Sequence, residues 1–337
     1  MKNFWQTLPR PFFVLAPMAD VTDAAFRRVV AKYSKIGHPM SDFVMYTEFV
    51  SADGLCLANK EGKAKLLRDL QYSEEEHPIV AQFFTAQPGH MERAAALAQE
   101  LGFDGVDINM GCPDRAIEKQ GAGARLMQNP RLARELIVAA KRGAPKLPIS
   151  VKTRLGYNKD TLDEWLAALL KAEPAAIAIH ARTRREMSAT PARWERITRA
   201  VEIRNDLQQT IDDRTLIVGN GNLIDIDDAK EKIKETGADG AMLGRAVFGN
   251  PALFSNSHEL AHKPVEQKLN ILVEHTKLFE ELLSDVKSFA VMKKHFRAYI
   301  EGFDGAKELR VRLMEADNAA EVEAVVKNFI SYYAVNG

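Results

Sequence analysis

Eight times along roughly the first 245 of its 337 residues, a short run of β character is followed by a stretch with helical periodicity, and that rhythm leaves the chain very few folds. The β-type runs are 14–19, 43–49, 79–84, 105–110, 149–154, 176–181, 215–219 and 240–243. Helical periodicity marks 23–33, 61–69, 89–101, 130–142, 161–172, 192–205 and 225–236, and Gly249-Asn-Pro251 opens a short segment after the eighth run. Asn129 ahead of Pro130 predicts a capped helix start, and Asp225 ahead of Asp227 and Asp228 predicts another. Runs five to seven are almost continuously apolar, as strands covered on both faces are. A doubly wound open sheet would carry a Gly-rich fingerprint in its first βα turn. Here that turn reads Ala16-Pro-Met-Ala-Asp-Val-Thr-Asp23, with no glycine, so the expectation is a closed (β/α)8 TIM barrel.

From about His258 the β-type runs cease. Segments near 264–284, 288–301, 305–315 and 318–334 read as helices, separated by Ser284-Asp285, Gly302 and Asp317-Asn318. The expected organisation is an α/β barrel over 1–255 followed by a C-terminal all-α helical bundle over 256–337.

Lys plus Arg equals Asp plus Glu at 46 each, so attraction to nucleic acid has to come from a local patch. Two cysteines, Cys56 and Cys112, exclude a disulfide framework and point to a reducing cytoplasm. No run approaches the ~18 apolar residues of a membrane span. Pro9, Arg10 and Pro11 interrupt the apolar start, which reads as a first strand rather than a leader.

In a barrel, chemistry collects at the C-terminal ends of the strands. Reading those ends in order gives Ala16-Pro17-Met18, Glu48, Gln82, Asn109 with Cys112, Lys152 with Arg154, His180 with Arg182, Asn220 with Gly221, and Gly244 with Arg245. Any one is commonly structural; eight in phase point to an active site. Gly219-Asn-Gly-Asn222 and Leu243-Gly-Arg-Ala246 stand where barrels bind phosphate through unshielded N–H groups, and a flavin or nucleotide phosphate fits there. A plain turn is the other reading of the first of them. Lys152, on a mostly apolar strand, implies an electron-rich partner: either a cofactor or a structural acid such as Glu48. Cys56, within Gly54-Leu-Cys-Leu57, reads as a packed small hydrophobe. Cys112 stands between Gly111 and Pro113, and a near-normal thiol pKa of about 8.5 leaves it protonated, able to act as acid as well as nucleophile. With no neighbouring Cys or paired His, no metal site is expected.

Residues 287–312 hold Lys287, Lys293, Lys294, Arg297, Lys307, Arg310 and Arg312 against Glu301, Asp304 and Glu308, interleaved with Phe289, His295, Phe296, Tyr299 and Phe303. That mixture suits structured RNA. An ordinary helix with aromatics inward and cations solvated carries the same pattern.

Together these motifs resemble the flavin-dependent tRNA dihydrouridine synthase family. The resemblance rests on Ala16-Pro-Met-Ala-Asp-Val-Thr-Asp-Ala-Ala-Phe-Arg27, Asp107-Ile-Asn-Met-Gly-Cys-Pro113, Gly121-Ala-Gly-Ala124, Val151-Lys-Thr-Arg-Leu-Gly156, Ile179-His-Ala-Arg-Thr-Arg184, Val218-Gly-Asn-Gly221 and Gly240-Ala-Met-Leu-Gly-Arg245. Met292-Lys-Lys-His-Phe-Arg-Ala-Tyr299 and Gly305-Ala-Lys-Glu-Leu-Arg310 resemble its helical RNA-binding domain. The resemblance implies reduction of uridine C5=C6 in tRNA, with Cys112 as proton donor. It implies FMN held by Ala16, Pro17, Met18, Gln82, Lys152, His180, Asn220, Gly221, Gly244 and Arg245, and NADPH or NADH as reductant. The base would lie near Asn109 and Arg182, with tRNA on Lys293, Lys294, Arg297 and Arg310. A cytoplasmic monomer without metal or membrane is expected. Two other readings are an FMN barrel reducing a free pyrimidine or another activated alkene, which needs no basic-aromatic helices, and an RNA-binding protein with an idle barrel. The chain departs from the family pattern at 34–46 and at Arg185-Glu-Met-Ser-Ala-Thr-Pro-Ala-Arg-Trp194, where many relatives carry an aromatic-plus-glycine segment.

Overall fold

The computed structural model describes residues 3–35, 43–208, 214–255 and 264–336. Eight strands, β1 (Phe12–Leu15), β2 (Phe43–Ser51), β3 (Ile79–Phe84), β4 (Gly105–Asn109), β5 (Ile149–Arg154), β6 (Ala176–His180), β7 (Leu216–Asn220) and β8 (Gly240–Leu243), pair in parallel and close into a barrel. Helices Lys60–Asp69, Pro88–Glu100, Pro130–Gly143, Leu162–Leu170, Glu195–Leu207 and Ile226–Thr236 alternate with them, which is the expected TIM barrel. The two predicted caps are present: Asn129 Oδ1 accepts from the Leu132 N–H at 3.2 Å and Asp225 Oδ1 from the Asp228 N–H at 2.8 Å. β1 stops at Leu15, earlier than its apolar run, because Ala16 makes the last bond to Leu243 O at 2.8 Å and Pro17 has no N–H to continue.

Register places the strand ends. Asn109 lies opposite Lys152, Arg154 opposite His180, and His180 opposite Asn220, so four neighbouring strands present their polar termini as one row. In β2 the register slips between Tyr46 and Phe49, and the Gln82 N–H then finds Thr47 Oγ1 at 3.1 Å.

The described residues pack as two compact units. The first holds the barrel. The second holds helix Ala24–Ser34, the turn Glu74–Glu76, and helices Val265–Leu283, Lys293–Tyr299, Ala306–Glu315 and Ala319–Asn336. Ala25 and Val29 enter one apolar core with Leu269, Leu272, Phe279 and Phe296. Arg27 and Glu76, both fully buried, meet at 2.6 Å, and the guanidinium also donates to the carbonyls of Thr22 and Gln71. A buried pair of this kind is tolerated only because its donors are satisfied. The units therefore do not divide the chain at one point. The boundary expected at 255/256 falls at the edge of 256–263, which lies outside the described residues, as do residues 36–42 of the unusual 34–46 stretch. Among the described residues no helix is long and apolar enough to cross a membrane.

Within the second unit, His275 and His295 are fully buried, their ring centroids 4.6 Å apart, among Phe26, Phe248 and Tyr299. His275 Nε2 and both nitrogens of His295 have no hydrogen-bond partner among the described residues. Burial pushes both pKa values down, His275 well below the usual range and His295 to about 3, with the Lys294 cation lowering His295 further. Unfolding returns each to about 6.5, so below that pH the unfolded chain takes up protons that the folded unit refuses, and stability falls by about 1.4 kcal/mol per pH unit for each histidine. Above pH 6.5 neither contributes a slope. His295→Phe should accordingly flatten the loss of stability between pH 6.5 and 5.5 by about 1 kcal/mol relative to wild type. Paired urea titrations read this directly, and identical pH slopes in the two proteins would show that the pair is not held neutral.

Candidate active site

Cys112 follows β4 by three residues, where the ladder can no longer accept the backbone N–H groups. Asn109 takes over that task. Its Oδ1 accepts from the N–H of Gly111 at 3.1 Å and of Cys112 at 2.9 Å, while its Nδ2 donates to Gln82 Oε1 at 3.0 Å. The chain continues inward: Gln82 Nε2 donates to Asp107 Oδ2 at 2.7 Å, and Ser150 Oγ donates to Asp107 Oδ1 at 2.7 Å. Gln82 and Asp107 are completely buried. Burial raises Asp107 to about 7, against the opposing hydrogen bonds of Ser150 and Gln82 and the Lys152 cation. Asn109 and Gln82, expected at base and cofactor, are thus first of all committed to each other and to the Cys112 loop.

Burial also pushes the half-buried Cys112 thiol up; the Asp114 carboxylate adds to this, while the Lys152 and Arg154 cations pull the other way. The near-normal thiol expected from the sequence gives way to a more firmly protonated one, because desolvation outweighs the Asp114 backbone N–H and the two nearby cations. Arg154, a strand end to which the sequence assigned no cofactor or substrate role, closes the loop from the other side: its Nε donates to Gly111 O at 2.8 Å. The only advance signal for it was its place at a strand end.

The Lys152 ammonium makes no ion pair or hydrogen bond among the described residues, so the structural bridge to Glu48 is not formed. Burial lowers its pKa to about 8, the Arg154 cation assists, and Asp107 and Cys112 oppose. Its ammonium, partly buried beside them, is poised for an electron-rich ligand.

Arg182 is 2% exposed, and its guanidinium donates to Thr190 O at 2.6 Å, to Asn222 Oδ1 and to His180 Nε2 at 2.9 Å. A guanidinium has only donors, so His180 Nε2 accepts and its ring proton sits on Nδ1. Arg182 therefore orients His180 and is itself enclosed. Asn220 Nδ2 donates to Met242 O at 2.7 Å. Gly221, at φ +132°, would place a Cβ 2.9 Å from Ala192 Cβ, and its N–H makes no hydrogen bond among the described residues; neither does that of Gly244.

Met18 and Arg245 belong to the second unit, where the Met18 N–H donates to Thr22 Oγ1 at 2.9 Å and Arg245 is exposed in the turn Arg245–Val247. His295, Phe296 and Tyr299 are buried in that unit, and Phe289 and Phe303 pack against its core, so the aromatic half of the RNA-like pattern is core and not a stacking platform. Lys293 pairs with Asp317 at 3.3 Å and Lys294 with Asp20 at 2.9 Å. Exposed Arg297 and half-buried Arg310 make no ion pair among the described residues.

A family model described as dihydrouridine synthase (Dus) matches residues 14–333. The chain is 38% identical over 330 residues to a probable tRNA-dihydrouridine synthase of Staphylococcus aureus strain N315, covering 97% of this chain and 96% of the relative. It is 39% identical over 334 residues to the probable tRNA-dihydrouridine synthase 2 of Bacillus subtilis strain 168, covering 98% of each. Among solved structures, histamine dehydrogenase from Rhizobium sp. 4-9 aligns with a TM-score of 0.52 at 12% identity, over 79% of this chain and 48% of that one, a likeness of fold.

In a Cys56→Ala background, iodoacetamide labelling of Cys112 should reach half its plateau rate at a pH above the free-thiol value of about 8.5. Asn109→Ala strands two N–H groups and the Gln82 carbonyl, which should cost about 2 kcal/mol of stability and speed the labelling roughly tenfold. Labelling at the parent rate in that variant would mean that another contact holds the loop.

Proposed function

The chain belongs to the dihydrouridine synthase family, and from that premise we propose that it reduces the C5=C6 bond of specific uridines in tRNA, using FMN with NADPH or NADH as electron source. The observation that carries this reading is Cys112: a thiol at the barrel's C-terminal edge that burial keeps protonated and Asn109 keeps still. Such a group is an acid more than a nucleophile, and an acid is what saturation of C5 requires.

The donor set suits a flavin. Lys152, a cation without an ion pair, suits the N1–C2 edge, where negative charge grows on reduction, and the open N–H groups of Gly221 and Gly244 suit its phosphate. Ala16, Pro17, Met18, Gln82, His180, Asn220 and Arg245 complete the set by motif position. When bound, the reduced flavin supplies the hydride for C6 of uracil.

The residues of the chain do the remainder. As C6 is reduced, charge builds through the conjugated C4 carbonyl, and the Cys112 Sγ–H bond breaks to place its proton on C5. Asn109 fixes the direction of that transfer by pinning the backbone on which Cys112 stands, so little reorganisation is left for the reacting state. Arg182 acts through His180, whose Nδ1–H it leaves as the donor. In folded tRNA the target base is stacked, and turning it outward costs a few kcal/mol, which phosphate contacts at cations such as Arg297 and Arg310 offset.

Cys112→Ala should retain the yellow flavin absorbance and tRNA binding while uridine reduction falls roughly 10²- to 10⁴-fold. Dihydrouridine counted in tRNA after incubation with reductant gives the rate; turnover at the wild-type rate in this variant would remove Cys112 from the role.

A further inference from the structure

Beside the Cys112 loop lies a cavity of about 440 Å³ lined by Arg115, Glu118, Lys119, Gly121, Arg125 and Tyr157. Its wall and the thiol share one stretch of backbone. Asp114 caps the helix Arg115–Lys119, accepting from the Ala116 N–H at 2.8 Å, and the Ala124 N–H, one residue before Arg125, donates to Cys112 O at 2.9 Å.

The charges in the cavity are unequally disposed. Glu118, its one carboxylate, is bound by both Nε and Nη2 of Arg184 and is thereby neutralised. Arg115, Lys119 and Arg125 are exposed and make no ion pair among the described residues. Tyr157 stands half-buried among them. Its carbonyl accepts from the Arg185 N–H at 3.0 Å, the Arg184 guanidinium lies 5.0 Å from its ring centroid, and that of Arg125 lies 5.8 Å from it.

Three unpaired cations converging on one concavity repel one another, and in a chain whose formal charges sum to zero no general field calls for them there. They become favourable when polyanion enters. A half-buried aromatic ring beside those guanidinium groups suits a ribose or a base next to that anion. We propose that this cavity binds the sugar–phosphate backbone flanking the uridine presented to Cys112, with Lys119 and Arg125 on phosphates, Arg115 at the rim and Tyr157 against the neighbouring nucleoside. The assignment rests on the reading of the chain as a tRNA uridine reductase. It gives the barrel itself a grip on the strand next to the reacting base, one that the sequence motifs did not single out.

The test compares flavin-loaded wild type with Lys119→Gln, Arg125→Gln and Tyr157→Leu, measuring retention of unmodified tRNA on filters across a salt series. Each glutamine should raise the tRNA Kd roughly fivefold at low salt and reduce the slope of log Kd against log salt by about 0.7 to 0.9. Tyr157→Leu should raise Kd roughly tenfold with the slope unchanged, since stacking carries no counterion release. Lys230→Gln, on the helix Ile226–Thr236, serves as the control for loss of one surface cation and should change neither quantity. Unchanged Kd and slope in the two cation variants would overturn the inference. So would an unchanged tRNA Kd accompanied by a higher KM for NADPH, which would assign the cavity to the phosphates of the reductant. A wild type that binds tRNA yet reduces no uridine would count against the function proposed above, while Kd and slope would still decide the cavity.

Discussion

One carboxamide connects the interior of the barrel to its reactive edge. A chain leaving a parallel strand loses its ladder partners at once, and its N–H groups must find acceptors where little water reaches. Asn109 Oδ1 answers for both Gly111 and Cys112, and Asn109 Nδ2 ties that answer to Gln82, Asp107 and Ser150. Each link is satisfied only because the next one is, which is the condition under which a buried polar network stabilises one arrangement and not several. The price is paid at Asp107, raised to about 7 because the innermost member has no water to share its charge.

The electrostatics of the edge follow from the same burial. Two unit charges 4 Å apart interact by about 4 kcal/mol at an effective dielectric of 20, enough in principle for Lys152 and Arg154 to ionise a neighbouring thiol. Cys112 is nevertheless pushed up, because the cost of desolvating a thiolate exceeds what those cations return. Lys152 pays the corresponding penalty as a cation and is lowered to about 8. A thiol and an ammonium that both lean toward neutrality suit proton donation beside an electron-rich ligand, the balance that the proposed function calls for. Covalent thiol catalysis would require the opposite balance.

How much of this was legible in the chain depends on the range over which each feature is determined. Strand identity and helix caps are local, so 79–84, 149–154 and 240–243 were delimited to the residue, and Asn129 and Asp225 cap where they were expected to. The polar strand ends were legible because period two puts Gln82, Asn109 and Lys152 in phase. What an amphipathic pattern cannot state is the partner of its apolar face. Helix Ala24–Ser34 therefore gave no sign that Ala25 and Val29 join the core of the C-terminal helices, and Arg27 none that it meets Glu76, 49 residues away. The aromatics of 289–303 were ambiguous for the same reason, and burial of Phe296 and Tyr299 decides it.

The Gly219-Asn-Gly221 motif, whose first two residues end β7, shows how an ambiguous pattern separates once packing is known. A Cβ on Gly219 would lie 2.3 Å from the Trp194 ring, so that glycine is required by the indole lying on it. The same indole donates through Nε1 to Gly221 O at 2.9 Å. Trp194 ends the stretch 185–194, which is bound back to the barrel: the Arg193 N–H donates to Ala181 O at 2.8 Å, and Glu186 accepts from both the N–H and the hydroxyl of Thr183. Gly219 is therefore neither turn nor phosphate contact but a residue of β7 kept small by the indole, and the glycine of the motif left at the loop is Gly221, whose carbonyl is fixed by Trp194 and whose N–H makes no hydrogen bond among the described residues. One loop thus sets the attitude of the next. The segment 185–194 thereby holds three neighbours at once: the Gly219–Gly221 stretch through Trp194, Arg182 through the Thr190 carbonyl and Arg184 through the Met187 N–H.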